Sequence, residues 1–242
     1  PDAAASQPLS LEQRAVWRGQ EFLGRAAPGY TASARYRIDG PVDPDLLRQA
    51  VGRLLDRHAL LRSVLRPGEP EPRFTPLERF DPPFTFRDVS AEAAPGAVDA
   101  TAEALIRRAL REPFALHDAL LCRYFLLRLG ESRHILIISH HHVLCDGWSG
   151  RTAFSELADI YNALAGGREP DPAESVGYAE HLAAQDEYLA SGKYAEDEAF
   201  WRGHLAGLAA EPIFAPRPGR RDEFGEIERL GRPFPAELRT RL

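Results

Sequence analysis

Ser139-His140-His141-His142-Val143-Leu144-Cys145-Asp146-Gly147-Trp148-Ser149 lies where a strongly apolar run gives out and a helical pattern begins. Upstream, His134–Ser139 and Leu120–Leu129 read as two strands joined at Gly130-Glu131-Ser132, a link short enough to predict an antiparallel pair. Downstream, Phe154, Leu157, Ala158 and Tyr161 recur at helical spacing until Gly166-Gly167 stops the run. The stretch is therefore a strand-to-helix junction, where a rigid backbone can position side chains while a loop leaves room for a ligand.

Reading outward, elements of both kinds accumulate. Val98, Ala102, Leu105, Ala109 and Leu110 form a helical stripe that Pro113 should end. Pro82 to Val89 reads as a strand, as do Leu61–Leu65 and Arg73–Thr75 around the Pro67-Gly68 turn. Asp43 can cap a helix begun by Pro44 and carried by Leu46, Leu47, Ala50, Val51, Leu54 and Leu55. Ala32 to Ile38 is strand-like, and Leu9 to about Phe22 is amphipathic, with Leu11, Val16, Trp17 and Phe22 as candidate buried positions. Beyond a Pro-rich linker at Glu169–Glu174, helical segments are expected at Tyr178–Leu189 and Glu196–Leu208, followed by an irregular tail. The fold class expected is α+β, a mixed sheet with flanking helices.

Composition narrows the function. The chain has 242 residues, 36 acidic against 30 Lys and Arg, and a formal charge of −6. That balance argues against a nucleic-acid partner held by phosphate contacts. No apolar run approaches the 18 or so residues of a membrane span, and the first residues have no signal-peptide pattern. Two cysteines, Cys122 and Cys145, make no disulfide framework, so a cytoplasmic location is expected. Methionine is absent, and the sequence reads as a piece of something longer.

Three adjacent imidazoles at the end of an apolar strand need partners if buried and cannot all be charged together. If extended geometry persists, His140 and His142 share one face and one cavity, with His141 behind them. His142 is the strongest candidate for chemistry. Asp146 reads as a helix cap or a member of a buried ion pair, Gly147 as a site of close approach, and Cys145 as a packing residue. His-x-His beside an acid is a spacing that zinc can use, with His117, His134 and His181 as distant further ligands, but no second ligand cluster stands out.

His141-His142-Val143-Leu144-Cys145-Asp146-Gly147 resembles the HHxxxDG motif of the condensation domains of nonribosomal peptide synthetases. Four further resemblances fall in order. Ser10-Leu11-Glu12-Gln13-Arg14-Ala15-Val16-Trp17 is similar to the family's opening SxAQxRxW-type motif, and Arg57-His58-Ala59-Leu60-Leu61-Arg62 to its RHxxLR motif. Tyr178–Tyr188 and Phe200-Trp201 to Leu208 are similar to its later helical segments.

The resemblance implies a chloramphenicol acetyltransferase-like lobe, 1–167, and a linker with the first helices of a second similar lobe, 168–242. It implies donor and acceptor peptidyl carrier proteins and neighbouring synthetase domains as partners. Substrates would ride on carrier phosphopantetheine, with no cofactor bound by the domain. An acceptor amine would then attack a donor thioester. Carried over, His142 stands at the reaction centre, flanked by His140 and His141. Gly147 supplies a backbone N–H near the oxyanion, and Arg62 pairs with Asp146 as structural support. The additional His140 resembles a subgroup that dehydrates a seryl residue and closes a β-lactam. A free-standing coenzyme A-dependent acyltransferase, an epimerization-type relative and a non-catalytic recruitment domain are the competing expectations.

Overall fold

A computed structural model describes residues 6–23, 30–172 and 177–208. Its elements run α1 (Leu11–Leu23), β1 (Thr31–Asp39), α2 (Pro44–Arg57), β2 (Ser63–Arg66), β3 (Arg73–Pro76), β4 (Phe84–Asp88), α3 (Val89–Glu92), α4 (Val98–Arg111), β5 (Cys122–Gly130), β6 (Arg133–His141), α5 (Gly147–Ala165), α6 (Tyr178–Leu189) and α7 (Gly192–Leu205). Four strands form one sheet in the order β1-β6-β5-β4, and β2 and β3 form a separate antiparallel pair. The expected hairpin is present: β5 and β6 run antiparallel with Leu126 opposite Leu136. The edge strand β4 runs parallel to β5, a pairing that requires a crossover, here supplied by α3 and α4.

The near-continuous apolar character of β5 and β6 follows from burial on both faces. Tyr124, Leu126, Leu136 and Ile138 join the core that holds Leu54 and Leu55 of α2 and Leu157 and Ile160 of α5. Leu127, Leu129, Ile135 and Ile137 face the other way, against Val89 of α3 and Ala102 and Ile106 of α4. The mixed sheet with flanking helices is the architecture expected from the sequence.

Local signals account for the helix ends. Asp43 Oδ1 accepts from the backbone N–H groups of Asp45 and Leu46, and Pro44 occupies the first turn of α2. The amphipathic reading of α1 holds for Val16 and Trp17, which pack against the core. It fails for Leu11, 41% exposed, and Phe22, 90% exposed. The buried face of α1 carries Gln13 and Gln20, seven residues apart and thus on one side of the helix.

The opening motif docks α6. Tyr178 Oη donates toward Pro8 O (2.8 Å) and Gln13 Oε1 (2.5 Å), while the Leu11 N–H donates to Gln185 Oε1 (3.1 Å). The chain divides into two compact units, Pro1–Glu198 and Ala199–Leu242. In the second, Phe200 stacks on His204 at the end of α7. The irregular tail expected after Leu208, and the end of the expected linker, residues 173–174, lie outside the described residues.

Candidate active site

The sheet delivers the histidines. β6 continues two residues past the expected Ser139, so His140 and His141 still belong to the strand, opposite Ala32 and Thr31 of β1. The strand ends there, but the His142 N–H still donates to Tyr30 O (2.7 Å), one step further along the register that pairs Thr31 with His141, before the Leu144 N–H turns back to His141 O (2.9 Å).

The three rings have different surroundings. His140 is 5% exposed and meets Tyr124 edge-on, with ring centroids 5.9 Å apart. Its Nε2 and the Tyr124 hydroxyl are both buried without a hydrogen-bond partner among the described residues. Burial pushes His140 down to about 4 and the Tyr124 phenol up. His141 is 2% exposed. Its Nδ1 accepts from the Val143 N–H (3.1 Å), so its proton resides on Nε2, which donates to Gln20 Oε1 (3.3 Å). Burial, with the neighbouring His142, pushes His141 down to about 4. Both of its ring nitrogens are thus committed inside the protein.

His142 is half-buried. Its Nδ1 lies 3.2 Å from the Cys145 carbonyl, and a carbonyl only accepts. The Nδ1 therefore carries the proton and Nε2 presents a lone pair. Of the three histidines, His142 is the least buried, while His140 and His141 are almost wholly enclosed.

Asp146 resolves toward the cap. Its Oδ1 accepts from the Ser149 backbone N–H (2.8 Å) and hydroxyl, and the Ser149 hydroxyl accepts in turn from the Asp146 N–H, a capping box at the start of α5. The Ser149 hydrogen bonds hold its carboxyl below the usual carboxylate range. The expected Asp146–Arg62 ion pair is not formed among the described residues; the carboxylate contact seen is that of Oδ1 with Ser149. The Arg62 carbonyl instead accepts from Leu77.

Gly147 is the first residue of α5, and its N–H makes no hydrogen bond among the described residues. An added Cβ there would meet nothing within 4 Å. No crowding by the chain therefore demands glycine there. Trp148, next along, is 79% exposed. Burial pushes the thiols of Cys122 and Cys145 up to about 12, which keeps them protonated and unreactive. Among the described residues no three His, Cys, Asp or Glu converge on a position for a metal ion, and no helix is long and apolar enough to cross a membrane.

Two partners escaped sequence reasoning. Gln20 fixes the His141 tautomer across 121 residues; a polar residue on the inward face of α1 was the available signal. Glu156 of α5 pairs with Arg57 and His58, and its sequence position carried no mark.

Comparison with known proteins defines the class. Residues 3–224 match the family model described as the condensation domain, and the chain belongs to the condensation domains of nonribosomal peptide synthetases. It is 32% identical over 249 residues to phosphinothricin tripeptide synthetase PhsC of Streptomyces viridochromogenes, covering 100% of this chain and 22% of that protein. It is 30% identical over 236 residues to the isonitrile lipopeptide synthase of Mycobacterium tuberculosis, covering 91% of this chain and 9% of that protein.

Among solved structures, the first condensation domain of the calcium-dependent antibiotic synthetase, in complex with substrate analogue 2a, matches with a TM-score of 0.72 at 27% identity, over 84% of this chain and 48% of that one. The starter condensation domain of rhizomide synthetase RzmA shares the fold, with a TM-score of 0.74 at 24% identity over 86% and 49%. The chain thus spans about half the length of these domain structures and a smaller share of the synthetases it matches.

Proposed function

We propose that this chain carries the histidine-bearing half of an amide-forming site that joins two thioester-bound substrates. The observation that supports the reading most is the His142 ring. Held by the Cys145 carbonyl, it has Nε2 free to accept a proton, in the turn that leads into α5. The acceptor amine attacks the donor thioester carbonyl, a C–N bond forms, and the carbonyl π electrons move onto oxygen. The Gly147 N–H, at the positive end of α5, is suited to hold that oxyanion. Collapse breaks the C–S bond, and the proton taken from the amine by His142 Nε2 passes to the departing thiolate sulfur. Acid–base help of this kind contributes about 10²–10⁴-fold.

In this reading His141 acts behind the reacting ring, holding the turn through Val143 and Gln20. The substrates ride on the phosphopantetheine of donor and acceptor carrier proteins from neighbouring synthetase domains. The division into a first lobe, 1–167, and the beginning of a second, 168–242, is part of the same proposal. α6 would then belong to the second lobe in sequence while remaining hydrogen-bonded to α1 of the first.

The test is mass spectrometry of loaded donor and acceptor carrier proteins incubated with the intact synthetase module. A peptide on the acceptor carrier is the expected product. An inverted stereocentre, acyl transfer from coenzyme A to a small molecule, or no turnover would each refute the proposal in favour of one of the alternatives.

A further inference from the structure

The Arg57-His58 half of the RHxxLR-type stretch has no role in the chemistry above, yet it makes a half-buried charge cluster at the end of α2. One Glu156 oxygen accepts from the Arg57 guanidinium (3.0 Å) and the other lies 2.5 Å from His58 Nε2. The Arg57 and Glu156 side chains are each 19% exposed. Burial raises the Glu156 carboxyl, but the hydrogen bonds from His58 and Arg57 outweigh it and hold the group below its usual range. Arg57 also donates to the carbonyl of Asp171, in the segment after α5. The cluster therefore ties three pieces of chain together at one point.

What it holds is the helix that begins at the reacting turn. Asp146 caps α5 and Cys145, just before it, carries the carbonyl that fixes His142. α2 and α5 pack through apolar side chains of one core. To that core packing, in which Phe154 of α5 also stacks on Tyr36 of β1 with ring centroids 3.7 Å apart, directional bonds are added: the Glu156 cluster, and the Asp43 N–H donating to Tyr161 Oη (2.9 Å). Glu156 lies about 15 Å along the axis from the cap at 1.5 Å per residue, so a shift there is carried rigidly to the turn.

We propose that Glu156 is a positioning residue: by fixing α5 against Arg57 and His58 it sets the place of the Cys145 carbonyl, and so the tautomer and aim of His142. The proposal rests on His142 being the reacting group, but its primary readout does not depend on which reaction follows.

The test is the tautomer of His142 in long-range ¹H–¹⁵N spectra of the full chain, with turnover measured in the intact synthetase. Wild type should show the Nδ1–H form. Glu156→Ala should show a mixture with Nε2–H and lose about 5- to 50-fold in kcat, part of the acid–base share, with KM for each loaded carrier unchanged. Glu156→Gln, which keeps one acceptor oxygen, should fall between the two. A folded Glu156→Ala with wild-type tautomer and kcat overturns the proposal. So does a wild-type chain in the Nε2–H form. If the Ala variant does not fold, a Gln variant indistinguishable from wild type overturns it equally. A tautomer shift in a protein that forms no peptide would instead leave the clasp standing and refute only the proposed reaction.

Discussion

Two neutral imidazoles locked in the core make this domain acid-sensitive, and the size of the effect follows from their surroundings. His140 and His141 are buried and pushed from 6.5 down to about 4. In the unfolded chain both titrate near 6.5. Above that value neither state binds the proton and folding is unaffected. As pH falls below about 6.5 the unfolded chain takes up protons that the folded one refuses, so stability drops, levelling off only below about 4. At pH 5 the difference is about 2 kcal/mol per histidine, or about 4 kcal/mol for the pair, at about 1.36 kcal/mol per pKa unit. That is a large part of a typical stability of about 5–15 kcal/mol. Carboxyls held low by hydrogen bonds, such as Asp146 and Glu156, lose their contribution only at lower pH.

The perturbation that isolates one ring is His140→Phe. It removes a nitrogen that has no partner among the described residues and keeps an aromatic ring beside Tyr124. Urea unfolding at pH 8, 7, 6 and 5 should find the variant near wild type at pH 8, since a lost unsatisfied polar group offsets tighter packing. At pH 5 it should be more stable than wild type by about 2 kcal/mol. His134, also pushed down by burial, acts alike in both proteins and cancels. Parallel curves for the two proteins would refute the claim that His140 is held neutral in the core.

Asp146→Ala should cost about 1 kcal/mol through the lost cap and Asp146→Asn only a few tenths; a double-mutant cycle with Arg62→Ala should show coupling under about 0.5 kcal/mol, whereas a larger value would restore the ion pair. Tyr178→Phe should cost about 1–2 kcal/mol and speed amide hydrogen exchange in α6, because its hydroxyl bonds both Pro8 and Gln13. Leu54→Ala, at a fully buried position of α2, should cost about 2–5 kcal/mol in chemical unfolding.

What was legible in the sequence was what local rules govern. The Asp43-Pro44 start of α2, the β5–β6 hairpin and the strand-to-helix junction at the histidines each depend on neighbours within a few residues. The bond from the His142 N–H to Tyr30 O was not legible, because it depends on β1 lying beside β6, a pairing between distant segments with no local signature. The exposure of Phe22 and the burial of Gln20 have the same origin: the inward face of α1 is chosen by what it covers, and it covers His141 as well as apolar side chains. Glu156 reads as one more surface acid until α2 is seen ending against it. The Asp146 cap was available from its place before the helix, and its Ser149 partner three residues on completes a capping box.

The central claim is that His142, presented by the turn at the end of β6, is the group that makes amide formation fast. Single-turnover peptide formation between loaded donor and acceptor carrier proteins, followed by mass spectrometry in the intact synthetase, tests it most directly. The account predicts that His142→Ala slows the step by at least about 10²-fold while the fold and carrier binding persist. A His142→Ala protein that forms the peptide at the wild-type rate would contradict it.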